Sequence, residues 1–337
     1  MNAVQYSASD GLVFVDVPMP ELEKDQVLVR VINTGFCGSD HSLVENHGLD
    51  DNTILGHEVG GVVAAMGENV QGVESGTRVV IRPTFCGKCR QCRMSKPQLC
   101  QEGRRTIGIG DLPGGFAEYL KVYPSMLINV PDNVDMVNAA MAEPFATCLH
   151  AVNVTKAHGG SALIIGGGAI GLGLVMVLKK MGFGPIIISE PVESKRAVAL
   201  EIGADMVTEP VSMMETIGDI RVDTVFECSG VPGNVQAGLD AVSIGGTVCI
   251  VSIIMQQVSI MPLVLNFKEV FLCGAYSNTH EENKKCLEWM ADGLIDAKAL
   301  ISDHTALSGL PAIYRDRINT GRAVKVMVDV SEEDSHR

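Results

Sequence analysis

The stretch SALIIGGGAIGLGLVMVLKKMGFGPIIISE, residues 161–190, decides the fold. Its apolar run Ala162–Ile165 reads as a strand buried on both faces. Gly166, Gly168 and Gly171 follow in the pattern G-x-G-x-x-G. Then come an apolar-faced helix and a second buried run, Ile186–Ser189, that ends on Glu190. A glycine triplet alone is a weak signal. One that leaves a strand, opens a helix and is followed by an acid at the end of the next strand is the full context for a dinucleotide. The glycines let the backbone approach a pyrophosphate at the helix N-terminus. Glu190 can accept hydrogen bonds from both adenosine ribose hydroxyls, and its charge would repel a 2′-phosphate, which favours NAD over NADP. Lys195 is placed to edge the adenine pocket; the plainer reading is a solvated helix charge.

Strand–helix units continue downstream at Asp223–Glu227, Gly246–Ser252 and Val270–Gly274. The alternation predicts a mostly parallel sheet covered on both faces, an α/β architecture. The N-terminal third reads differently. Residues 1–35 alternate polar and apolar, with Val27, Val29 and Val31 on one face, as in antiparallel strands that bury one side. Further strands are predicted at Val59–Met66, Arg78–Ile81 and Gly114–Val122, together a small β-barrel-like region. Residues 41–54 are polar and turn-rich, a surface loop with a short helical piece. The tail carries a helix-like stretch, Leu310–Thr320, and a strand, AVKVMVDV, that alternates like the N-terminal ones. It is expected to return to the first domain. The expected division is a metal-bearing domain over 1–145, with a cysteine lobe at 83–103, a dinucleotide domain over 146–275, and a return over 276–337.

With 337 residues, two cores are expected. The 46% hydrophobic and 20% charged composition is that of a packed globular protein. A net charge of −14 argues against nucleic acid or an anionic membrane as partner. No apolar run approaches the roughly 20 residues of a membrane span, and MNAVQYSASDG lacks the features of a signal peptide. The cytoplasm is the expected compartment, which argues against disulfides among the ten cysteines. Cys148, Cys228, Cys249, Cys273 and Cys286 sit among apolar neighbours and read as small buried hydrophobes.

The other five cysteines fall in ligand-like patterns. Cys37 lies in GFCGSD, and ILGHE brings His57 and Glu58. A thiolate, an imidazole and a carboxylate can hold zinc with one position open, as catalysis requires. Cys86, Cys89, Cys92 and Cys100 are spaced C-x2-C-x2-C-x7-C, which suits a closed four-sulfur zinc site. Lys88, Arg90, Arg93 and Lys96 can offset its charge. An iron–sulfur cluster is the competing reading; only one cluster's ligands are present and no proline follows Cys100. Glu143, in the apolar AEPFATCLHAV, is either a helix-start carboxylate favoured by the dipole or a carboxylate brought to the metal.

GFCGSD, LGHE, the four-cysteine lobe, GGFAEY, AEPFAT, the glycine turn, VFECSG and GGTVCIV occur in an order that resembles the zinc-dependent medium-chain alcohol dehydrogenases, nearest the polyol, butanediol and threonine dehydrogenase branch. The resemblance implies a GroES-like β-rich catalytic domain joined to a Rossmann doubly wound parallel-sheet domain. It implies two zinc ions per chain, one catalytic and one structural, with NAD(H) as cofactor. Cys37 and His57 would be catalytic-zinc ligands; Glu58 would bind the ion or sit just behind it; Glu143 matches a third ligand, direct or through water. Ser39 matches a hydroxyl that passes on the substrate proton. Thr147 matches a residue against the nicotinamide, and Ile170 belongs with the glycine turn in holding the cofactor. The activity implied is hydride transfer between NAD and a secondary alcohol, diol or polyol, in a homodimer or homotetramer, with Val258–Phe267 as a contact segment.

The chain also departs from the family. Where many members carry a relay histidine, this chain has Ser42, with His41 one place earlier on the expected surface loop. Ser277 and Asn278 stand where sorbitol dehydrogenases show Arg and Tyr, so a sorbitol-type substrate is not supported. A glucose-dehydrogenase-like sugar oxidoreductase and a non-catalytic zinc- and NAD-binding protein are the alternatives.

Overall fold

The computed structural model describes residues 1–331 and divides them into two compact units, Met1–Glu143 with Thr279 onward, and Pro144–Asn278. Among the described residues no helix is long and apolar enough to cross a membrane.

In the first unit, β1 (Asn2–Ser7) and β2 (Gly11–Asp16) form an antiparallel pair. The main sheet holds β3 (Val27–Phe36), β4 (Glu58–Met66), β5 (Arg78–Ile81), β6 (Tyr119–Val122) and β7 (Leu127–Asn129). The inward Val27, Val29 and Val31 are fully buried and pack with Val59, Val63, Val79 and Leu120. Each such side chain contributes about 1.5–3 kcal/mol by leaving water. The strand predicted over Gly114–Val122 is shorter. Gly114 and Phe116 donate to Ile54 and Leu55, while Val4 donates to Phe116. The backbone before Tyr119 therefore bonds to separate neighbours, and Phe116 stacks on Phe36 with centroids 5.6 Å apart.

The second unit has six parallel strands: β8 (Ala162–Ile165), β9 (Ile186–Ser189), β10 (Met206–Thr208), β11 (Val222–Glu227), β12 (Val242–Ile250) and β13 (Phe271–Gly274). Their order is β10-β9-β8-β11-β12-β13. The order reverses between β8 and β11, the switch point at which doubly wound sheets bind ligands. All four residues of β8 are buried, as are all four of β9, which is why these strands read as unbroken apolar runs.

The chain then re-enters the first unit with β14 (Ile301–Ala306) and β15 (Lys325–Asp329). β15 pairs antiparallel with β3, placing Val326 opposite Phe36. The helix-like stretch before it is a short α-turn, Leu310–Ile313, continued by a π-helical turn, Tyr314–Ile318.

Candidate metal centres and dinucleotide site

Cys37 follows directly on β3 and caps the helix Gly38–Glu45. His57 immediately precedes β4, which opens with Glu58. The antiparallel register pairs Gly35 with Glu58, so one ligand atom each from Cys37, His57 and Glu58 lies within 4.8 Å of the others. Gly35 is required here: a Cβ would come within 1.9 Å of a Glu58 carboxylate oxygen. A thiolate, an imidazole and a carboxylate form a donor set that suits zinc.

Two residues that the sequence did not single out complete the surroundings. Asp40 is fully buried; one oxygen lies 3.2 Å from His57 Nδ1 and the other accepts the Cys37 amide at 3.0 Å. With Nδ1 turned to a carboxylate, Nε2 is left for a metal, a common arrangement behind metal-bound histidines. Burial works against charge on His57, but the Asp40 and Cys37 charges outweigh it and hold the imidazole well above its usual value. Lys325 is the second. Its Nζ lies 2.7 Å from both oxygens of Glu58 and donates to the Phe36 carbonyl at 3.1 Å. Burial opposes its charge, yet Glu58, Cys37 and Glu143 together raise its pKa. Asp40 had a signal in its place within GFCGSD; Lys325 had none, being 267 residues from Glu58.

Ser39 Oγ is 3.4 Å from His57 Nε2, beside the position a metal would take. Glu143, on the first turn of the helix Ala142–Thr155, lies outside the compact trio, although its charge reaches Lys325. His41 is a helix residue, half-buried, with Nδ1 3.2 Å from Tyr314 Oη; Tyr314 in turn donates to Glu45 at 2.9 Å.

The sulfurs of Cys86, Cys89, Cys92 and Cys100 form a second compact group. Measured pairs are 3.9 Å (Cys86–Cys92), 3.5 Å (Cys89–Cys92) and 3.9 Å (Cys89–Cys100). Zinc–sulfur bonds of about 2.3 Å give tetrahedral edges of roughly 3.8 Å, so these residues fit one ion. Backbone amides aid the fit: Cys89 N donates to the Cys86 sulfur at 3.2 Å. Burial raises the Cys100 thiol, but the amides of Cys86 and Glu102 bring it down to about 6.

In the second unit Gly166 adopts φ +107° at the end of β8, and a Cβ on Gly171 would lie 1.9 Å from its carbonyl. The helix Ala169–Lys180 starts there. Ile170 is on its first turn, and its carbonyl accepts the Cys148 thiol at 3.4 Å. Glu190 accepts the Gly167 amide at 2.6 Å and the Val192 amide at 2.9 Å. It fastens the glycine turn to the end of β9. A carboxylate has about four lone-pair positions, so two remain for a ribose. Lys195 is half-buried on the helix Glu193–Glu201. Its neighbour Arg196 binds the Glu190 and Pro191 carbonyls, each at 2.8 Å, and Glu209 at 3.0 Å. Thr147 accepts the side-chain amide of the buried Asn278 at 3.0 Å.

These features match known proteins over most of the chain. Residues 23–132 match the family model of the alcohol dehydrogenase GroES-like domain, and residues 169–292 that of zinc-binding dehydrogenases. Sorbitol dehydrogenase of Bacillus subtilis is 31% identical over 93% of this chain and 92% of its own. The chain belongs to the zinc-dependent medium-chain alcohol dehydrogenase family. A zinc-binding dehydrogenase from Sinorhizobium meliloti 1021, bound to NADP, superposes with a TM-score of 0.89 at 32% identity, covering 98% of this chain and 99% of that one. The 2R,3R-butanediol dehydrogenase of Bacillus subtilis gives 0.87 at 26% identity, covering 98% and 99%. The family carries out alcohol and polyol oxidoreduction with zinc and a nicotinamide cofactor, and this member has the GroES-like and Rossmann-like parts for it.

Proposed function

We propose that this enzyme moves a hydride between NAD and a secondary alcohol, diol or polyol, and that residues 1–145 with 276–337 form the catalytic domain and 146–275 the dinucleotide domain. The observation that carries the reading is the grouping of Cys37, His57 and Glu58 with the Ser39 hydroxyl beside His57 Nε2. When bound, zinc acts as a Lewis acid toward a hydroxyl group and the nicotinamide accepts the hydride.

The chain's own residues do the rest. Cys37 and His57 are ligands, and Glu58 and Glu143 are the carboxylates that serve the site. Asp40 holds the His57 ring in place from behind. Ser39 takes the substrate's hydroxyl proton and passes it outward. Lys325 matters for charge: its buried ammonium offsets part of the negative charge that Cys37, Glu58, Glu143 and Asp40 bring around a divalent ion. Cys86, Cys89, Cys92 and Cys100 hold the structural zinc.

NAD is proposed over NADP because Glu190 places a carboxylate where the adenosine ribose would bind. Gly166, Gly168, Ile170 and Gly171 cradle the pyrophosphate, Lys195 edges the adenine, and Thr147 meets the nicotinamide. Asn278 anchors Thr147, so this position holds cofactor-side geometry where sorbitol dehydrogenases have a substrate contact. A homodimer or homotetramer with Val258–Phe267 as contact segment is proposed. That segment exposes Met261 and Leu263, each at 57%, and Phe267 at 78%. The cytoplasm suits ten cysteines that form no disulfide.

A panel of secondary alcohols, diols, polyols and sugars with NAD, followed by absorbance of the reduced cofactor, tests the reading. Turnover is expected with at least one secondary alcohol or polyol. No turnover with any of them, while zinc and NADH still bind, would leave a binding protein instead.

A further inference from the structure

The second unit contains two thiols that neither metal centre nor the proposed reaction employs. Cys249 on β12 and Cys273 on β13 are directly paired residues of adjacent parallel strands. Such residues point to the same face of a sheet, on strands about 4.8 Å apart. A disulfide spans α-carbons about 4.4–6.8 Å apart, so this pair is within range. Each sulfur faces a backbone carbonyl of the same sheet neighbourhood, Cys249 that of Ala151 and Cys273 that of Val248.

Their surroundings are unequal. Cys249 is fully buried, its sulfur 3.9 Å from the Ala151 carbonyl. Cys273 is only partly buried, 3.7 Å from the Val248 carbonyl. A small oxidant from solvent can therefore meet Cys273 first, and Cys249 is positioned to react with the product. The contact with Cys249 lowers the Cys273 thiol, against its partial burial, while the same contact and burial raise Cys249. The more accessible sulfur is thus the one whose ionisation is favoured, and the thiolate is the reactive form.

We propose that Cys249 and Cys273 form a reversible oxidation site, closed to a disulfide by a hydroperoxide. The Cys273 thiolate attacks one peroxide oxygen. The O–O bond breaks, hydroxide leaves, and a sulfenic acid remains on Cys273. The Cys249 sulfur then attacks the Cys273 sulfur. The S–S bond forms, the S–O bond breaks, and the Cys249 proton departs with the hydroxyl as water. Two thiols lose two electrons in total and one hydroperoxide gains them; with hydrogen peroxide the products are two waters. The Cys273 sulfur is only partly buried, so an external thiol can reach the bond and reduce it. Neither cysteine belongs to a zinc group, so closure leaves both metals in place. It ties the edge strand β13 to β12, just ahead of the segment that carries Asn278 to Thr147.

The test uses the zinc-loaded protein and stoichiometric hydrogen peroxide. After oxidation, the protein is denatured in iodoacetamide and its peptides are mapped by mass spectrometry, with and without dithiothreitol; zinc is measured in the same samples. A peptide pair linked through Cys249 and Cys273, formed with zinc fully retained and lost on reduction, is expected. Cys249→Ser should leave a dimedone-reactive sulfenic acid on Cys273, and Cys273→Ser should leave Cys249 alkylatable. The proposal is overturned if both thiols stay alkylatable until zinc is released. It is equally overturned if either one pairs with Cys228, whose charge also acts on Cys249.

Discussion

Lys325 Nζ lies 2.7 Å from each carboxylate oxygen of Glu58, and both side chains are withdrawn from solvent, at 2% and 0% exposure. Removing one partner of such a pair strands a buried charge, which typically costs about 3–5 kcal/mol, whereas replacing both by apolar groups is often neutral. Lys325→Met should therefore destabilise the protein by about that amount. The double variant Lys325→Met with Glu58→Leu should regain at least half of it. Urea unfolding of the metal-free proteins measures this. A double variant no better than the single one would show that something other than the ion pair is lost.

Metal content separates the two cysteine groups. Elemental analysis should give two zinc ions per chain. Cys37→Ser should leave one, reduce turnover to background, and preserve the fold and NADH binding, because the glycine turn belongs to the other unit. Cys100→Ser should also leave one, but with a loss of thermal stability, because a closed metal site contributes directly to folding. Loss of NADH binding in Cys37→Ser would show that its role has been misassigned.

Glu190 faces both the glycine turn and the expected ribose. Glu190→Gln removes the charge and keeps an acceptor for the Gly167 amide. A hydrogen bond to a charged group contributes about 1.5–3 kcal/mol, so kcat/KM with NAD should fall roughly 10- to 100-fold. The value with NADP should hold or rise. Steady-state kinetics with both cofactors decide the matter; an unchanged ratio would remove Glu190 from cofactor choice.

Asp135 caps the helix Met136–Ala140, accepting the Asn138 amide at 2.9 Å, and pairs with Lys298 at 2.8 Å. Partial burial would raise its pKa, but Lys298 and the Asn138 amide outweigh this and lower it. A depressed folded value contributes stability above the unfolded value of about 3.9 and loses it as pH falls through the folded one. Asp135→Ala should cost about 1 kcal/mol near neutrality, mostly from the cap, since an exposed ion pair adds little. The difference between variant and parent urea midpoints should close as pH drops below about 4. A gap that persists in acid would point to lost packing.

The glycine turn, the buried runs on either side of it and the cysteine lobe were legible in the chain because each is local. Their residues lie within about one supersecondary unit, where spacing and periodicity dictate geometry. The alternation of the tail likewise pointed to the sheet it joins, as the pairing of β15 with β3 shows. Reading Gly114–Val122 as one strand overreached, since its alternation did not reveal that Gly114 and Phe116 bond elsewhere. The link between Lys325 and Glu58 spans 267 residues, and that between Asn278 and Thr147 spans 131. The facing of Cys249 and Cys273 depends on which residue of β13 lies beside which residue of β12. Sequence determined which segments could bind a metal or a phosphate. Only the tertiary structure decided which distant charge answers each buried one, because strand register and burial are properties of the assembled sheets and cannot be read from any segment alone.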